Sequence, residues 1–441
     1  MTKNSTTRDL GGDLPRNDHD GKLKGTRPLK LLLPTIGSSG DVHPVVALGM
    51  ALQSRGHRAT ILTNPLFQEL IEGQGVGFLP VGTIDDARAA IADPDLWHPR
   101  KGFQVVARRA ILPAMAEVYR LIERHADADT VVASSGIAFG ARIAQERLGV
   151  PMASVHLQPG IIRSVVDQGM AGNVRISASQ PMWFKRAFFR FADWFLIDRA
   201  LKGPVNEFRA TLDLPPVDRL MHRWLHSPQL VIGFFPDWFA RPQPDWPPHT
   251  HLVGFPLWDS GNTTLPSDAR EFLEAGEPPV VFTPGSAGAT MHRYFRESVE
   301  AVRELGVRAM LVTNFPEQVP TDLPPRVRTF GYLPFSDLLP HAAMLVYHGG
   351  IGTLAQAIKA GIPHLVVPGG HDQFDNAWRI EQLGLGRSIP QTRYRAGRVV
   401  GAIRAILGHG EGRARCRDYA SRIDSGGAVT RACELIEGLS A

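Results

Sequence analysis

Only two cysteines, Cys416 and Cys433, occur in 441 residues. Isolated thiols without metal-ligand spacing make neither a disulfide framework nor a zinc site, and a reducing compartment suits them best. No apolar run approaches the roughly 20 residues that cross a bilayer. No dense block of lysine and arginine is present, so a formal net charge of +5 does not by itself imply nucleic acid. It permits a weak attraction to anionic ligands or lipid headgroups. Residues 1–27 are polar, contain Gly and Pro, and lack the apolar stretch of a signal peptide. They are expected to form a disordered tail.

The chain as a whole has the composition of a soluble globular enzyme, 43% hydrophobic and 21% charged. The length suggests two domains, or three. Leu29–Leu33 is a short apolar run that ends in a Gly/Ser turn, and from Pro44 a helical pattern begins with Val45, Leu48 and Leu52 on one face. Strand, glycine turn and helix make the βα unit of a doubly wound sheet. Further strands are expected at 58–64, 76–81, 130–135, 151–157 and 229–235. Residues 161–225 read as a helical stretch rich in aromatics. A second alternation starts at "PVVFTPGS" and runs through "RAMLVTN", "RVRTFGYL", "MLVYHGG" and "PHLVVPGG". The expected fold is α/β, with two facing Rossmann-like domains of parallel sheets. Residues 28–240 form the first domain, 241–270 a Pro-rich linker and 271–441 the second.

The stretch "YHGGIGTLAQAIKAGIPHLVVPGGHDQFDNA" carries the chemistry. His348, Gly349 and Gly350 fall where a buried strand ends, and Thr353 falls in the first turn of the next helix. Free N–H groups and the positive end of a helix dipole suit a phosphate, and glycines let the backbone approach. Alone, such a turn is as readily a plain strand–helix connection. The loop after the next strand, however, holds Asp372 and Gln373. Neighbouring strands lie about 5 Å apart, so a carboxylate and an amide face the same ligand. Phosphate donors beside readers of vicinal hydroxyls describe a nucleotide sugar.

This segment resembles the donor signature of nucleotide-sugar glycosyltransferases of GT-B fold, the UDP-glycosyltransferase family 1 type, and the resemblance extends over nearly the whole chain from Leu29. It implies that His348 contacts a diphosphate, that Gly350, Gly352 and Thr353 cradle it, that Asp372 and Gln373 hold the sugar, and that Asn376 lies near the phosphate. "FGYLPFSDLL" resembles the segment that usually reads Trp-x-Pro-Gln, which places Tyr332 on the nucleobase and leaves Phe335 where Gln is usual. "FTPGSAG" puts Gly285 and Ser286 beside the phosphates. A packed strand-end aromatic is the other reading of Tyr332.

"GSSGDVHPVVAL" resembles the family's first acceptor loop, with Gly40 on the acceptor and Asp41 where many members have a histidine base. Asp41 is the expected general base, ionised at neutral pH, and His43 its rival; the alternative is a carboxylate that only caps the helix. The resemblance implies an inverting reaction that needs neither metal nor cofactor. "DPDLWHPRKGF", "HSPQLVIGFFPDWFARPQPDWP" and "GFPLWD" look similar to the rhamnosyltransferase of rhamnolipid synthesis. That similarity implies L-rhamnose moved from dTDP-rhamnose to a hydrophobic, lipid-like hydroxy acceptor. UDP-glucose-dependent glucosylation of a sterol or secondary metabolite is the alternative, with a nucleotide-sugar epimerase or a non-catalytic binding subunit behind it. In the helical pattern at 181–203, Trp183 and Phe188 are expected to line the acceptor channel; the same helix could lie on a membrane surface or be core. The expected setting is cytoplasmic, with peripheral contact at the inner membrane face.

Overall fold

The computed structural model describes residues 27–98, 101–259, 264–285 and 291–440, with the side chain of residue 223 left aside. Ser286 and nearly all of the expected tail lie outside the described residues. Two parallel sheets form. The first has the order β3-β2-β1-β4-β5-β8-β9, built from β1 (Lys30–Pro34), β2 (Arg58–Thr63), β3 (Gly77–Pro80), β4 (Thr130–Ser135), β5 (Met152–His156), β8 (Leu230–Gly233) and β9 (Thr250–Leu252). Leu31, Leu32 and Leu33 are all buried because helices cover both faces of the strand, and this is why a central parallel strand reads as an unbroken apolar run. The second sheet has the order β12-β11-β10-β13-β14-β15, from β10 (Val280–Thr283), β11 (Ala309–Val312), β12 (Val327–Phe330), β13 (Met344–Tyr347), β14 (His364–Val366) and β15 (Gly386–Ser388). Strand order reverses between β1 and β4 and again between β10 and β13. Ligands of such sheets bind outside the carboxyl ends of the strands, at these reversals.

Three features depart from the expectation. Residues 241–270 are not only a connection, since β9 pairs with β8, Val231 beside Thr250, and the helix Ser267–Glu274 buries Ala269 and Phe272 in the second half. A hairpin of β6 (Gly169–Ala171) and β7 (Val174–Ile176) interrupts the helical stretch. It reaches the helix Gln373–Gln382, where the Asp375 carboxylate accepts from Met170 N–H at 2.8 Å and from Arg379 Nε at 2.8 Å. Arg379 in turn donates to the Phe239 carbonyl at 2.9 Å. The first helix spans Ser39–Ser54, so Pro44 lies inside it rather than opening it. There the proline withdraws the N–H that would bond the Gly40 carbonyl.

The last helix, Ser425–Glu437, packs back on the first domain. Glu437 accepts from Arg55 Nε at 2.6 Å and lies 2.8 Å from His57 Nε2, with little of the three side chains exposed. Glu437→Ala leaves a cation and a buried imidazole without their partner. We expect a loss of about 1–2 kcal/mol, read as a lower urea midpoint. An unchanged midpoint would mean that the C-terminal helix does not hold the first domain.

Candidate active site

The carboxyl edge of the second sheet sets out the expected donor residues in spatial order. Tyr332 follows β12, Gly285 follows β10, His348 follows β13, and Asp372 with Gln373 follows β14. From β12 to β13 is three strand spacings, about 14 Å. An extended ligand lying along this edge would meet an aromatic ring first, then glycines and a histidine, then a carboxylate. Tyr332 is 49% exposed at the outer end.

At the centre, Gly349 has φ +98°, and a Cβ there would lie 2.8 Å from Val366 Cγ1. Only glycine takes that conformation at low cost in so tight a space. The His348 ring lies between Gly285 and Gly350, and a Cβ on either would overlap it. Its Nδ1 is buried without a hydrogen-bond partner among the described residues. Burial pushes the imidazole down to about 4, so His348 is neutral at pH 7 and can serve an anion through N–H donation. The positive character of the turn therefore comes from the helix Ile351–Lys359. Gly350 caps it, and the first N–H to find its intrahelical carbonyl is that of Leu354, bonded to Gly350 O at 2.9 Å. The N–H groups of Ile351, Gly352 and Thr353 stand ahead of that bond, and the Thr353 hydroxyl has no partner among the described residues. This is the geometry of an anion site.

Two donor-loop residues are committed to structure. Asn376 donates to the Gly349 carbonyl at 2.9 Å and to Asp372 Oδ2 at 2.7 Å. It ties the two loops together, and both donors of its amide are spent there rather than on a phosphate. The Gln373 carbonyl oxygen accepts from Gly369 N–H at 2.8 Å and Gly370 N–H at 3.2 Å. Only its NH₂ remains for a sugar. Asp372 keeps an open oxygen, and burial pushes its carboxyl up to about 6 against the pull of Asn376.

The first domain meets this edge at its own β1–β4 reversal. Gly37, at φ +144°, leaves room for the Asp41 carboxylate, onto which a Cβ at 37 would fall. Asp41 Oδ2 accepts from Ser38 N–H at 2.8 Å, closing a box at the helix start. Capping the helix leaves the second carboxylate oxygen open. Burial pushes the Asp41 carboxyl up to about 6; the Ser38 bonds lower it and nearby Asp372 raises it. Gly40 faces Gly352, whose Cβ, if present, would lie 3.9 Å from Gly40 Cα. Asp41 and the turn at the start of the helix Ile351–Lys359 thus share one cleft. His43 turns elsewhere. It packs edge-on to Trp258 at 5.2 Å and feels Asp259, and burial lowers its basicity.

Trp97 and His371 complete the cleft and were not foreseen. Trp97 lies 6.3 Å from His348 and 5.3 Å from His371, ring to ring. It roofs a pocket with Pro284, Met291, His348, Val367 and Gln373. His371 takes φ +53°, costly for a histidine, and its Nε2 lies 2.9 Å from the Leu96 carbonyl across the domain gap. By contrast, Trp183 is 72% exposed and Phe188 half-buried on the helix Met182–Ala192, so neither sits in an enclosed channel. Among the described residues no cluster of three or more His, Cys, Asp or Glu is placed to hold a metal.

Comparison with known proteins resolves the class. Residues 31–166 match the glycosyltransferase family 28 N-terminal domain, and residues 304–429 match the erythromycin biosynthesis protein CIII-like C-terminal domain. O-mycaminosyltylonolide 6-deoxyallosyltransferase of Streptomyces fradiae is 28% identical over 93% of this chain and 97% of its own. The chain is a GT-B glycosyltransferase. Two solved structures share the fold of this glycosyltransferase. The glycotransferase of kitacinnamycin superposes with TM-score 0.72 at 19% identity, over 94% of this chain and 100% of the other. The spinosyn rhamnosyltransferase SpnG complexed with thymidine diphosphate superposes with TM-score 0.64 at 21% identity, over 92% and 100%. The enzyme's reaction class is hexosyl transfer. The N-terminal match holds Asp41 and the C-terminal match holds His348, Thr353, Asp372 and Gln373.

Proposed function

We propose that the enzyme transfers a 6-deoxyhexose, L-rhamnose from dTDP-rhamnose first among them, to the hydroxyl of a hydrophobic, lipid-like acceptor, with inversion and without a metal. One observation carries the reading: an Asp41 carboxylate with an open oxygen faces, across the Gly40–Gly352 approach, the helix start that suits a diphosphate. Asp41 takes the hydroxyl proton as the acceptor oxygen bonds to the anomeric carbon. The bond from that carbon to the diphosphate oxygen breaks on the opposite face. The diphosphate leaves with its electron pair toward the N–H groups of Ile351–Thr353 and the His348 ring, which stabilise the developing charge. Asp372 and the Gln373 NH₂ hold sugar hydroxyls.

The pocket wall supports the deoxy sugar. Trp97, Pro284, Met291 and Val367 line it together with polar Gln373 and Gln391, and the apolar part of that lining suits a methyl at carbon 6 better than a hydroxymethyl. Such a pocket rejects an added hydroxyl by at most about 10²-fold. The S. fradiae relative is named for a 6-deoxyallosyl group and SpnG for a rhamnosyl group. Mass spectrometry and initial rates of products from a panel of dTDP- and UDP-hexoses, with 3-hydroxy fatty acids and with a sterol as acceptors, are the test. A kcat/KM about 10–100-fold higher for dTDP-rhamnose than for UDP-glucose is expected. Preference for UDP-glucose with a sterol would replace the donor and acceptor readings together.

A further inference from the structure

Seven of the twelve large apolar side chains that stand exposed among the described residues fall between Met182 and Leu196. Trp183 is 72%, Trp194 68% and Phe191 60% exposed. They are not frayed. Phe184, Phe188, Phe191 and Phe195 follow one helical stripe, with Phe191 and Phe195 stacked at 5.6 Å and Phe184 and Phe188 at 6.5 Å. The opposite face is anchored. Lys185 is buried and donates to the Val166 carbonyl at 2.8 Å and the Ser177 carbonyl at 3.2 Å, and Asp193 pairs with Arg163. The aromatic side is therefore held outward by a fixed inner side. Arg186 and Arg190 stand exposed on the same helix, and neither has an ion-pair partner among the described residues.

We propose that the outer face of 182–196 docks on an anionic lipid surface. An amphipathic helix that carries tryptophans and phenylalanines on one side and arginines at its edge lies in the plane of a headgroup layer. Tryptophan favours that level because its ring is apolar and its N–H is polar, and unpaired arginines match anionic headgroups. The positive formal charge of the chain, +5, adds attraction of the same sign. The anchor at Val166 and Ser177 brackets the hairpin that reaches the helix Gln373–Gln382. The docked face and the donor loop are thus joined through a few bonded residues.

The test is co-sedimentation of the full chain with vesicles of phosphatidylcholine alone and with vesicles containing half phosphatidylglycerol. Binding to the anionic vesicles alone at low salt is expected. Arg186→Ala with Arg190→Ala should weaken it about 30-fold, from two cations lost at an anionic surface. Phe191→Ser with Trp194→Ser should weaken it at least tenfold without lowering the melting temperature. The proposal is overturned by absence of binding, by equal binding to both vesicles, or by a concentration-dependent dimer that the Phe191 and Trp194 changes dissolve. Sedimentation needs no turnover, so its failure leaves the transfer reaction untouched.

Discussion

Asp41→Asn is expected to lower kcat by 10²–10⁴-fold, the range for a general base in hydrogen-bond reach of its proton, while the Kd for nucleoside diphosphate stays within about twofold. The amide keeps the shape and can still accept from Ser38 N–H, so the helix start survives. What it loses is the open oxygen that takes a proton. Loss of nucleotide affinity in step with kcat would assign Asp41 a structural role. His43→Ala should cost far less, because His43 packs on Trp258.

The same residue predicts two pH effects. Transfer by the unaltered enzyme should rise with pH to a plateau above about 6, where Asp41 titrates. Asp372 also titrates near 6 and raises Asp41, so the apparent value belongs to the pair. Stability runs the other way. A carboxyl whose folded value is raised contributes fully below its unfolded value and loses that contribution as pH climbs through about 6. Asp41→Asn should therefore be the more stable protein at pH 7.5, by about 1–2 kcal/mol after discounting for the open side of the carboxylate. The difference should close by pH 4. A difference independent of pH would contradict the buried, ionised state of Asp41.

How much of this was legible in the chain follows from locality. Leu31–Leu33 and the run before His348 showed as strands because parallel strands covered on both faces need apolar residues at every position. The glycine turn showed because its φ and close approach demand glycine at one position. β9, β15 and the hairpin did not, since Thr-His-Leu, Gly-Arg-Ser, Gly-Met-Ala and Val-Arg-Ile lack the apolar run that marks the equally short β14. The helix start was misplaced at Pro44 although Ser38 and Asp41, three apart, carried the capping signal. Trp97 and His371 were out of reach for another reason. Their contacts cross from one domain to the other, and no spacing along the chain encodes that meeting. Asn376 was placed at the phosphate by resemblance, whereas its two donors are taken by Gly349 and Asp372.

His348→Ala and Asp372→Ala should separate the two halves of donor recognition. A neutral imidazole donating to a diphosphate forms a hydrogen bond to a charged group, worth about 1.5–3 kcal/mol. His348→Ala should weaken nucleoside diphosphate binding about 10–100-fold by calorimetry, and should weaken the nucleotide sugar equally. In the proposed arrangement Asp372 meets the sugar, because it stands one strand further along the sheet edge. Asp372→Ala should leave dTDP affinity within a few-fold and weaken dTDP-hexose about 10–100-fold. Because Asp372 also holds Asn376, Asp372→Asn serves as the control: it preserves the tie to the loop through its amide oxygen and still loses the charge-assisted bond to the sugar. If both nucleotide and nucleotide sugar fell together in every Asp372 variant, Asp372 would be a support of the Gly349 turn and not a sugar ligand. If the double His348, Asp372 alanine variant bound both ligands normally, the donor would have to lie elsewhere than along the carboxyl edge from β12 to β14.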